Sequence, residues 1–492
     1  MRNNIAVAID IGTTKIYVII AEVDPETGRF QVLGYGTSTS SGLKKGLVVD
    51  VEQTSRDIKR AVRKAEEMAQ IRVEKAFIGI SGKHIQSSLQ HIEIFLGEEP
   101  REIEELDYET LIQNAIDRQI TRDSFILHKI AYNFKVDNGS VIKNPVGRRG
   151  RKVEADVHLI TGSEKEITAL KNTLLKLDID VEEVILEPYA SAKAVLTTSE
   201  KRFGTVIVDM GGGTTDICIY RNETLIYSAV IPAGGEHYTN DIAYCLQLDL
   251  ETAEKLKKDF SSFSDNGENV VQIHIKNSNE KKMIEFSELE EIISSRTDDL
   301  LELVGEKIAE SGFSEYISNG IVFTGGSSQI AGLKERAEEY FNYDIKIGIP
   351  IRTIGLLEEM NKPENSTGIG LLIYAAEKAV QTKTENAKYV PQPKQTSVEK
   401  KEEKNPEQAL KEKMETIARG ELKPIAPDTI YYPHKMRIGC GKLKVMIGYS
   451  PRERAIQDLY VIRSGTGGCE KNIQAVAIYM SGILRLGGNL FM

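Results

Sequence analysis

Short apolar runs alternate with amphipathic segments through most of the chain. Residues 5–19 (IAVAIDIGTTKIYVI) and 76–80 (AFIGI) are typical of buried strands, because their apolar positions show no helical period. Between them, Asp50 and Gln53 predict a capping box at the start of a helix. The apolar residues of that helix recur at helical spacing, and they are Ile58, Ala61, Val62, Ala65 and Ala69. The alternation of strands and helices predicts an α/β core.

The composition changes sharply once along the chain. Residues 381–408 (QTKTENAKYVPQPKQTSVEKKEEKNPEQ) are rich in Lys, Glu, Gln and Pro and almost free of large aliphatic side chains. Such a segment buries too little apolar surface to offset its ordering entropy, so a flexible linker is predicted. Pro391, Pro393 and Pro406 disfavour the alternative of a continuing helix. Strand and helix patterns return in residues 435–492, which predicts a small appended α+β domain.

The overall composition is that of a globular protein. The chain has 492 residues, 40% hydrophobic and 28% charged, which suggests roughly three domains. A formal charge of −10 argues against a nucleic-acid partner, because phosphate binding requires a basic surface. Four scattered cysteines do not form a secreted disulfide framework. No signal-peptide core or stretch of about 20 apolar residues is present. A cytoplasmic protein with at most peripheral membrane contact is therefore expected.

Two segments of the chain follow the same plan. Residues 5–19 and 205–220 (TVIVDMGGGTTDICIY) each place an Asp after an apolar strand, then a glycine turn, two threonines and a second strand. The echo predicts two similarly built halves that face each other. Glycine permits positive φ, and such a turn would aim backbone N–H groups at phosphate oxygens. One such turn alone would be a plain hairpin, whereas two copies favour nucleotide binding.

The predicted nucleotide site draws on both turns. Asp10 and Asp209 would hold Mg²⁺, through water, beside the phosphates. The residues assigned to nucleotide binding are Asp10, Gly12, Thr13, Thr14 and Lys15 from the first turn and Asp209, Gly211, Gly212, Gly213, Thr214 and Thr215 from the second.

These turns resemble the phosphate loops of the actin, sugar-kinase and DnaK-type ATPase superfamily. IVFTGG at 321–326, followed by Ser327, resembles the element beneath adenosine, which adds Gly325, Gly326 and Ser327 to the site. Segments 186–196 and 366–375 resemble the two connecting helices. Glu254 and Lys257 occupy the region of the adenine contacts, and their spacing puts both on one helical face. An ordinary solvated ion pair explains that couple equally well.

Within this superfamily the chain resembles the bacterial cell-division FtsA family over residues 4–380. The stretches that carry this resemblance are GLKKGLVVDVEQT (42–54), FIGISGKHI (77–85), KNPVGRRGRKVEADVHLITG (143–162) and IPAGGEHYTNDIA (231–243). The resemblance implies an α/β, two-lobed actin-like ATPase fold with an FtsA-type inserted subdomain. The predicted parts are 1–83 for the start of the first lobe, 84–162 for the insert, 163–380 for the remainder of both lobes, 381–434 for the linker and 435–492 for the last domain.

The FtsA resemblance also implies the function. Members of the family bind ATP, form filaments with themselves, and connect the tail of the tubulin-like protein FtsZ to the inner face of the cell membrane. Docking of that tail is expected in residues 231–320, where Lys281, Lys282 and Arg296 could meet an acidic peptide, although a solvated charged face is the commoner meaning of such residues.

One candidate catalytic residue follows from the same resemblance. Glu187 would orient or deprotonate the attacking water in a slow ATPase. The alternative is a helix N-terminal acid that is favoured by the helix dipole, and Pro188 fits such a helix start. Slow or absent turnover would be unsurprising, because the filament rather than the product would be the output.

The C-terminal residues depart from the FtsA pattern, which usually ends in a membrane-targeting helix. Here the text around Cys440 and Cys469 resembles a TSCPD-type domain of cobalamin-dependent ribonucleotide reductases. Two isolated cysteines lack the spacing of a zinc site, so structural thiols are expected. The segment 473–486 is predicted as a buried helix rather than a membrane anchor, because it has no strongly charged face. A small-molecule kinase and a regulator of ribonucleotide reduction remain alternative functions.

Overall fold

The computed structural model describes residues 4–119, 123–265, 269–274, 281–351 and 355–388, together with the backbone of three strands between residues 430 and 463. Internal packing divides the chain into two units, residues 1–390 and 391–492.

The first unit mixes strands and helices throughout. Its strands are β1 (Ile5–Ile11), β2 (Lys15–Val23), β3 (Phe30–Thr39), β4 (Leu43–Lys44), β5 (Leu47–Val48), β6 (Lys75–Ile80), β7 (Gln86–Phe95), β8 (Arg101–Glu102), β9 (Ser124–Val136), β10 (Arg149–Gly150), β11 (Lys152–Ser163), β12 (Asp180–Leu186), β13 (Thr205–Met210), β14 (Thr215–Arg221), β15 (Thr224–Ile231), β16 (Val270–His274), β17 (Lys281–Glu285), β18 (Ile321–Thr324) and β19 (Ile345–Ile347). Its helices are α1 (Val51–Ala69), α2 (Glu105–Gln119), α3 (Glu164–Leu175), α4 (Glu187–Val195), α5 (Thr198–Phe203), α6 (Gly235–Cys245), α7 (Leu250–Asp265), α8 (Phe286–Glu310), α9 (Leu333–Tyr340) and α10 (Ser366–Lys388).

Two five-stranded sheets share one topology. The strand order is β12-β6-β1-β2-β3 in the first lobe and β19-β18-β13-β14-β15 in the second. In each sheet a central antiparallel hairpin is extended by a third antiparallel strand on one side and by two parallel strands on the other. The sequence echo is thus a structural repeat, and the prediction of two similarly built lobes is confirmed.

The apolar runs form central strands because both faces of each sheet are covered. Ile9 and Val18 belong to the core of the first lobe, and Val208 and Ile217 to that of the second. Helix α1 begins where predicted, because the Asp50 side chain accepts a hydrogen bond from the Gln53 N–H at 2.9 Å. The reciprocal bond of the predicted capping box is not formed, since the Asp50 N–H donates to the Gly42 carbonyl instead. The five apolar residues predicted for its inner face are all buried.

Helices α4 and α10 carry the predicted connecting segments. They approach closely, because a side chain at Gly370 would lie only 1.9 Å from the Ala190 carbonyl oxygen. The predicted start of the linker at residue 381 is wrong, since α10 continues to Lys388. Residues 381–388 contain no proline or glycine, so nothing in them opposes a helix already nucleated by buried turns.

The insert is a separate small layer between β6 and α3. Its sheet has the order β7-β11-β9, with α2 packed on it. It has its own core, which includes Ile92, Leu111, Phe134, Val157 and Leu159. The fold class predicted for the first unit is therefore correct.

The second unit contains a three-stranded antiparallel sheet. Strands β20 (Ile430–Ile438), β21 (Gly441–Ser450) and β22 (Ala455–Arg463) lie in that order. Because β20 begins at Ile430, the predicted linker end at residue 434 is wrong by five residues. Pro433 lies within this strand, and a proline in a sequence segment argues against a strand. Proline is nevertheless tolerated in an edge strand such as β20. Cys440, Cys469 and the segment 473–486 lie outside the described residues.

Candidate functional site

A cavity of about 730 Å³ lies where the two central hairpins meet. The β1–β2 and β13–β14 turns enter it from opposite lobes. Of the predicted site residues it is lined by Asp10, Gly12, Thr13, Thr14, Lys15, Glu187, Asp209, Gly211, Gly212, Glu254, Lys257, Gly325, Gly326 and Ser327. The sequence therefore predicted residues from distant segments that the fold brings to one place.

The two turns have matching backbone geometry. The Gly12 N–H donates to the Lys15 carbonyl at 3.0 Å, and the Gly211 N–H donates to the Thr214 carbonyl at 2.9 Å. The expectation of positive φ at these turns is wrong, because neither glycine adopts it, nor do Gly212 and Gly213.

The glycines of the second turn are required by close packing instead. A Cβ at Gly212 would lie 2.5 Å from Thr14 Cγ2, and one at Gly213 would lie 2.5 Å from Thr13 Oγ1. The hairpins of the two lobes therefore contact each other directly, glycine against threonine.

Three residues of the second turn do not line the cavity. Gly213 packs on Thr13, the Thr214 hydroxyl donates to Asp216 at 2.9 Å, and the Thr215 hydroxyl donates to the Ala233 carbonyl at 2.8 Å. Their side chains shape the turn rather than face the cavity.

Lys15 lies on the floor of the cavity. Its Nζ donates to the Glu364 carbonyl at 2.8 Å and to Asn365 Oδ1 at 3.0 Å. Burial lowers the pKa of Lys15, and the neighbouring Asp10 opposes that shift. Lys15 therefore brings a positive charge to the part of the cavity lined by Asp10, Asp209 and Glu187, which we call the acidic end.

Asp10 and Asp209 are the penultimate residues of the matching strands β1 and β13. Burial raises the pKa of Asp10 to about 7, against the influence of Lys15. Burial also raises the pKa of Asp209, which accepts from the hydroxyls of Ser191 at 2.5 Å and Thr367 at 3.2 Å. Burial disfavours the charged form of both carboxylates, so a cation that compensates the charge would be favoured.

Glu187 begins α4 and faces the same acidic end. Its Cγ would lie 3.0 Å from a Cβ at Gly79, so the absence of a side chain there leaves room for it. Burial, and then repulsion by Asp10, Asp216 and Asp209, raises the pKa of Glu187 well above its ordinary value. A carboxylate with a raised pKa is suited to accept a proton from water.

Asp216 is a cavity residue that the sequence analysis missed. Its carboxylate accepts from the Ser81 hydroxyl at 2.5 Å and from Thr214, and burial raises its pKa to about 7. Its position in the sequence could have identified it, because Asp216 directly follows the second turn. In the structure it pairs with Asp209 in the β13–β14 ladder. Glu364, just before α10, and Thr367, at the start of α10, were also missed.

Helix α7 and the Gly326–Gln329 turn form the second-lobe wall. Lys257 Nζ lies 2.6 Å from Glu254 Oε2, and it also donates to the Gly235 carbonyl at 3.1 Å. The prediction that Glu254 and Lys257 share a helical face is confirmed. Burial raises the pKa of Glu254, but Lys257, together with Thr239 and Lys258, outweighs burial and leaves the pKa below its usual value. Ser327 Oγ donates to the Gly211 carbonyl at 2.9 Å, which connects this turn to the β13–β14 turn.

The wall and the acidic end differ in chemistry. The wall offers a paired carboxylate and ammonium, which suit hydroxyl groups of a ligand. The acidic end offers uncompensated carboxylates with backbone turns, which suit a cation and phosphates. Within the described ranges, no three Asp, Glu, His or Cys side chains stand close enough to ligate one ion directly.

Comparison with known proteins identifies the family. A family model described as cell division protein FtsA matches residues 206–370, and one described as the SHS2 domain inserted in FtsA matches residues 82–161. The FtsA of Pseudomonas aeruginosa is 36% identical over 376 residues, which cover 76% of this chain and 89% of that protein. The FtsA of Escherichia coli K12 is 32% identical over 397 residues, covering 78% and 94%. The chain belongs to the FtsA family.

The membership confirms the predicted family and the predicted role as an actin-like cell-division protein. A solved PilM–PilN type IV pilus biogenesis complex has a TM-score of 0.50 at 15% identity, covering 75% of this chain and 98% of that one, and it shares the fold alone. The actin-like ATPase fold implies nucleotide binding. Among the residues that the structure describes, no helix has the length and apolar character to cross a membrane.

Proposed function

We propose that this FtsA family member binds ATP with Mg²⁺ between its lobes, polymerises, and links FtsZ to the cytoplasmic face of the cell membrane at the division site. The observation that carries the nucleotide site is the pair of matched turns, which present Asp10 and Asp209 to one cavity. The FtsA relatives support the division role.

The residues fit a bound Mg²⁺. Asp10 and Asp209 are buried carboxylates whose raised pKa values fall when a cation neutralises them. The ion, held by these two residues through water, would reduce the charge on the phosphates. Residues of the chain supply the other functions of the site. The turns and Lys15 orient the phosphates, and Glu187 accepts a proton from water.

The wall residues complete the nucleotide site. Glu254 and Lys257 on α7 are assigned to the nucleoside, with Gly325, Gly326 and Ser327 beneath it. Turnover is expected to be slow, because the proposed output is a filament with head-to-tail, non-closing contacts.

Docking of the FtsZ tail is assigned to residues 231–320 on the resemblance. Two of the basic residues considered there have partners within the fold. Arg296 Nε donates to Asp241 at 2.5 Å, and Lys282 Nζ donates to the Leu246 carbonyl at 2.6 Å. The side chain of Lys281 is outside the described atoms. These bonds disfavour Arg296 and Lys282 as leading contacts of an acidic peptide.

Calorimetric titration with ATP and Mg²⁺ tests the site. Asp209→Ala is expected to weaken binding by at least about tenfold, as loss of a residue that orients bound metal does. Asp117→Ala, which removes an exposed carboxylate of α2, is the matched control and should leave binding unchanged. Normal affinity in Asp209→Ala would overturn the site assignment.

Negative-stain microscopy on lipid monolayers tests the assembly. Filaments on lipid with ATP, and recruitment of purified FtsZ to them, are expected. Filaments that form in solution yet never appear on lipid would contradict direct membrane attachment. Absence of filaments from a protein that binds ATP would contradict polymerisation.

A further inference from the structure

A buried histidine of the insert reaches the start of the helix that carries Glu187. His128 on β9 accepts a hydrogen bond at Nε2 from the Leu186 N–H at 3.0 Å. Because a backbone N–H can only donate, Nε2 must be unprotonated. Burial lowers the pKa of His128 to about 4, which keeps that lone pair available at neutral pH.

The histidine holds α4 on both sides of Glu187. Leu186 precedes Glu187 in the chain and is the N-cap residue of α4. Tyr189 lies two residues after Glu187, and its ring centroid is 4.8 Å from that of His128. The insert thus contacts the chain immediately before and after the candidate catalytic residue.

Glu187 needs support of this kind. Its carboxylate faces Asp10, Asp209 and Asp216, each of which raises its pKa by repulsion. The same repulsion would push the side chain out of the acidic end if the backbone were free to move. One turn further along α4, Ser191 donates to Asp209, so a shift of the helix would disturb that contact too.

A second histidine ties the insert to the other lobe. His158 on β11 donates from Nδ1 to the Leu225 carbonyl of β15 at 3.3 Å, and its Nε2 lies 2.7 Å from Ser87 Oγ. It is buried, as His128 is, but its partner is on the second lobe. His128 therefore contacts the helix that carries Glu187, whereas His158 only attaches the insert to the second lobe. Substitutions of the two residues can distinguish these roles.

We propose that His128 is a positioning residue through which the inserted subdomain sets the orientation of Glu187. The inference rests on the proposed ATPase function. It makes the insert part of the frame of the active site, so that displacement of β9 would change turnover without changing the phosphate turns.

The test compares three variants of the full chain. His128→Leu removes the acceptor while keeping an apolar side chain. His128→Gln places an amide oxygen near the position of Nε2. His158→Leu is the matched control, since it removes another buried histidine of the same insert. Binding of a fluorescent ATP analogue, thermal unfolding and single-turnover hydrolysis of ATP with Mg²⁺ are measured for each.

His128→Leu is expected to slow hydrolysis by about tenfold or more, as small misplacements of catalytic groups do. Its nucleotide affinity should stay within about twofold of wild type, because the phosphate turns are untouched. His128→Gln should recover most of the rate, and His158→Leu should hydrolyse ATP faster than His128→Leu at similar thermal stability.

Other results would overturn the proposal. Equal slowing in His128→Leu and His158→Leu would show only a general loss of insert packing. Unchanged hydrolysis in His128→Leu would show that His128 does not position Glu187. A wild type that binds ATP without hydrolysing it would show that Glu187 has no catalytic role that positioning could affect. A wild type that does not bind ATP would instead sink the proposed function itself.

Discussion

At the scale of single residues, the cavity contains several carboxyl groups whose ionisation is disfavoured by burial. Asp10 and Asp216 have pKa values raised from 3.8 to about 7 by burial. Between these values the folded chain holds protons that the unfolded chain has released. The contribution of these two groups to the folding stability of the nucleotide-free protein therefore falls as pH rises from about 4 to about 7.

Asp216→Asn should reduce this pH dependence. The amide keeps an acceptor for Ser81 or Thr214 but cannot ionise, so the variant should melt at a higher temperature than wild type at pH 8. At pH 4 the two proteins should be similar, because Asp216 is then protonated in the folded wild type. Melting temperatures are measured by calorimetry across this range without nucleotide.

The control for this series is Asp117→Asn on the exposed face of α2. It should reproduce the wild-type curve. A pH slope in Asp216→Asn as steep as that of wild type would contradict the assignment of proton uptake to Asp216.

The residue scale also shows what the sequence could reveal. Asp10 and Asp209 were predictable because each follows an apolar strand and precedes a glycine turn. The partner of Asp216 was not, because Ser81 lies 135 residues away in the chain. The reason for glycine at 212 and 213 was also hidden, since it lies in the threonines of the opposite lobe.

At the scale of elements, periodicity predicted helices and strands where they are buried on a regular face. Helix α1 is the clearest case, with its cap and its apolar spacing both in place. The predicted boundaries were wrong at the end of α10, where the composition is polar, and at the start of β20, which contains a proline. Tertiary contacts of earlier turns, rather than local composition, decide how far such an element continues.

The packing of α1 on β3 provides a test at this scale. A Cβ at Gly36 would lie 2.1 Å from the Ala61 carbonyl oxygen, a backbone atom that cannot rotate away. Gly36→Val should force α1 off the sheet and destabilise the first lobe by about 1–3 kcal/mol or more. A lower melting temperature, and faster amide exchange in α1, are the expected measurements.

Thr37→Val is the matched control, because it adds the same side chain at the exposed neighbouring position of β3. It should leave α1 exchange unchanged. Wild-type stability in Gly36→Val would show that the helix is not seated as closely as the structure has it.

At the scale of the whole molecule, the repeat explains why so much was predictable. Two copies of one strand-turn-strand pattern specified two sheets of one topology, and a cavity where their turns meet. The insert showed no such internal repeat and was located by family resemblance alone. Its contacts with the two lobes include those of His128 and His158, which no local pattern distinguishes from other core histidines.

The contact between the lobes gives a final prediction. The Ser81 hydroxyl, at the end of β6 in the first lobe, donates to Asp216 in β14 of the second at 2.5 Å. At pH 8, where Asp216 is largely ionised, a hydrogen bond to its carboxylate contributes about 1.5–3 kcal/mol, so Ser81→Ala should favour opening of the cleft and release ATP about tenfold faster or more. Chase of a bound fluorescent nucleotide by unlabelled ATP measures this rate.

Ser55→Ala is the matched control, because it removes another buried hydroxyl whose partner, the Thr173 carbonyl, lies in the first lobe. This variant should release nucleotide at the wild-type rate. Equal release from both variants would mean that the Ser81 bond does not hold the lobes together.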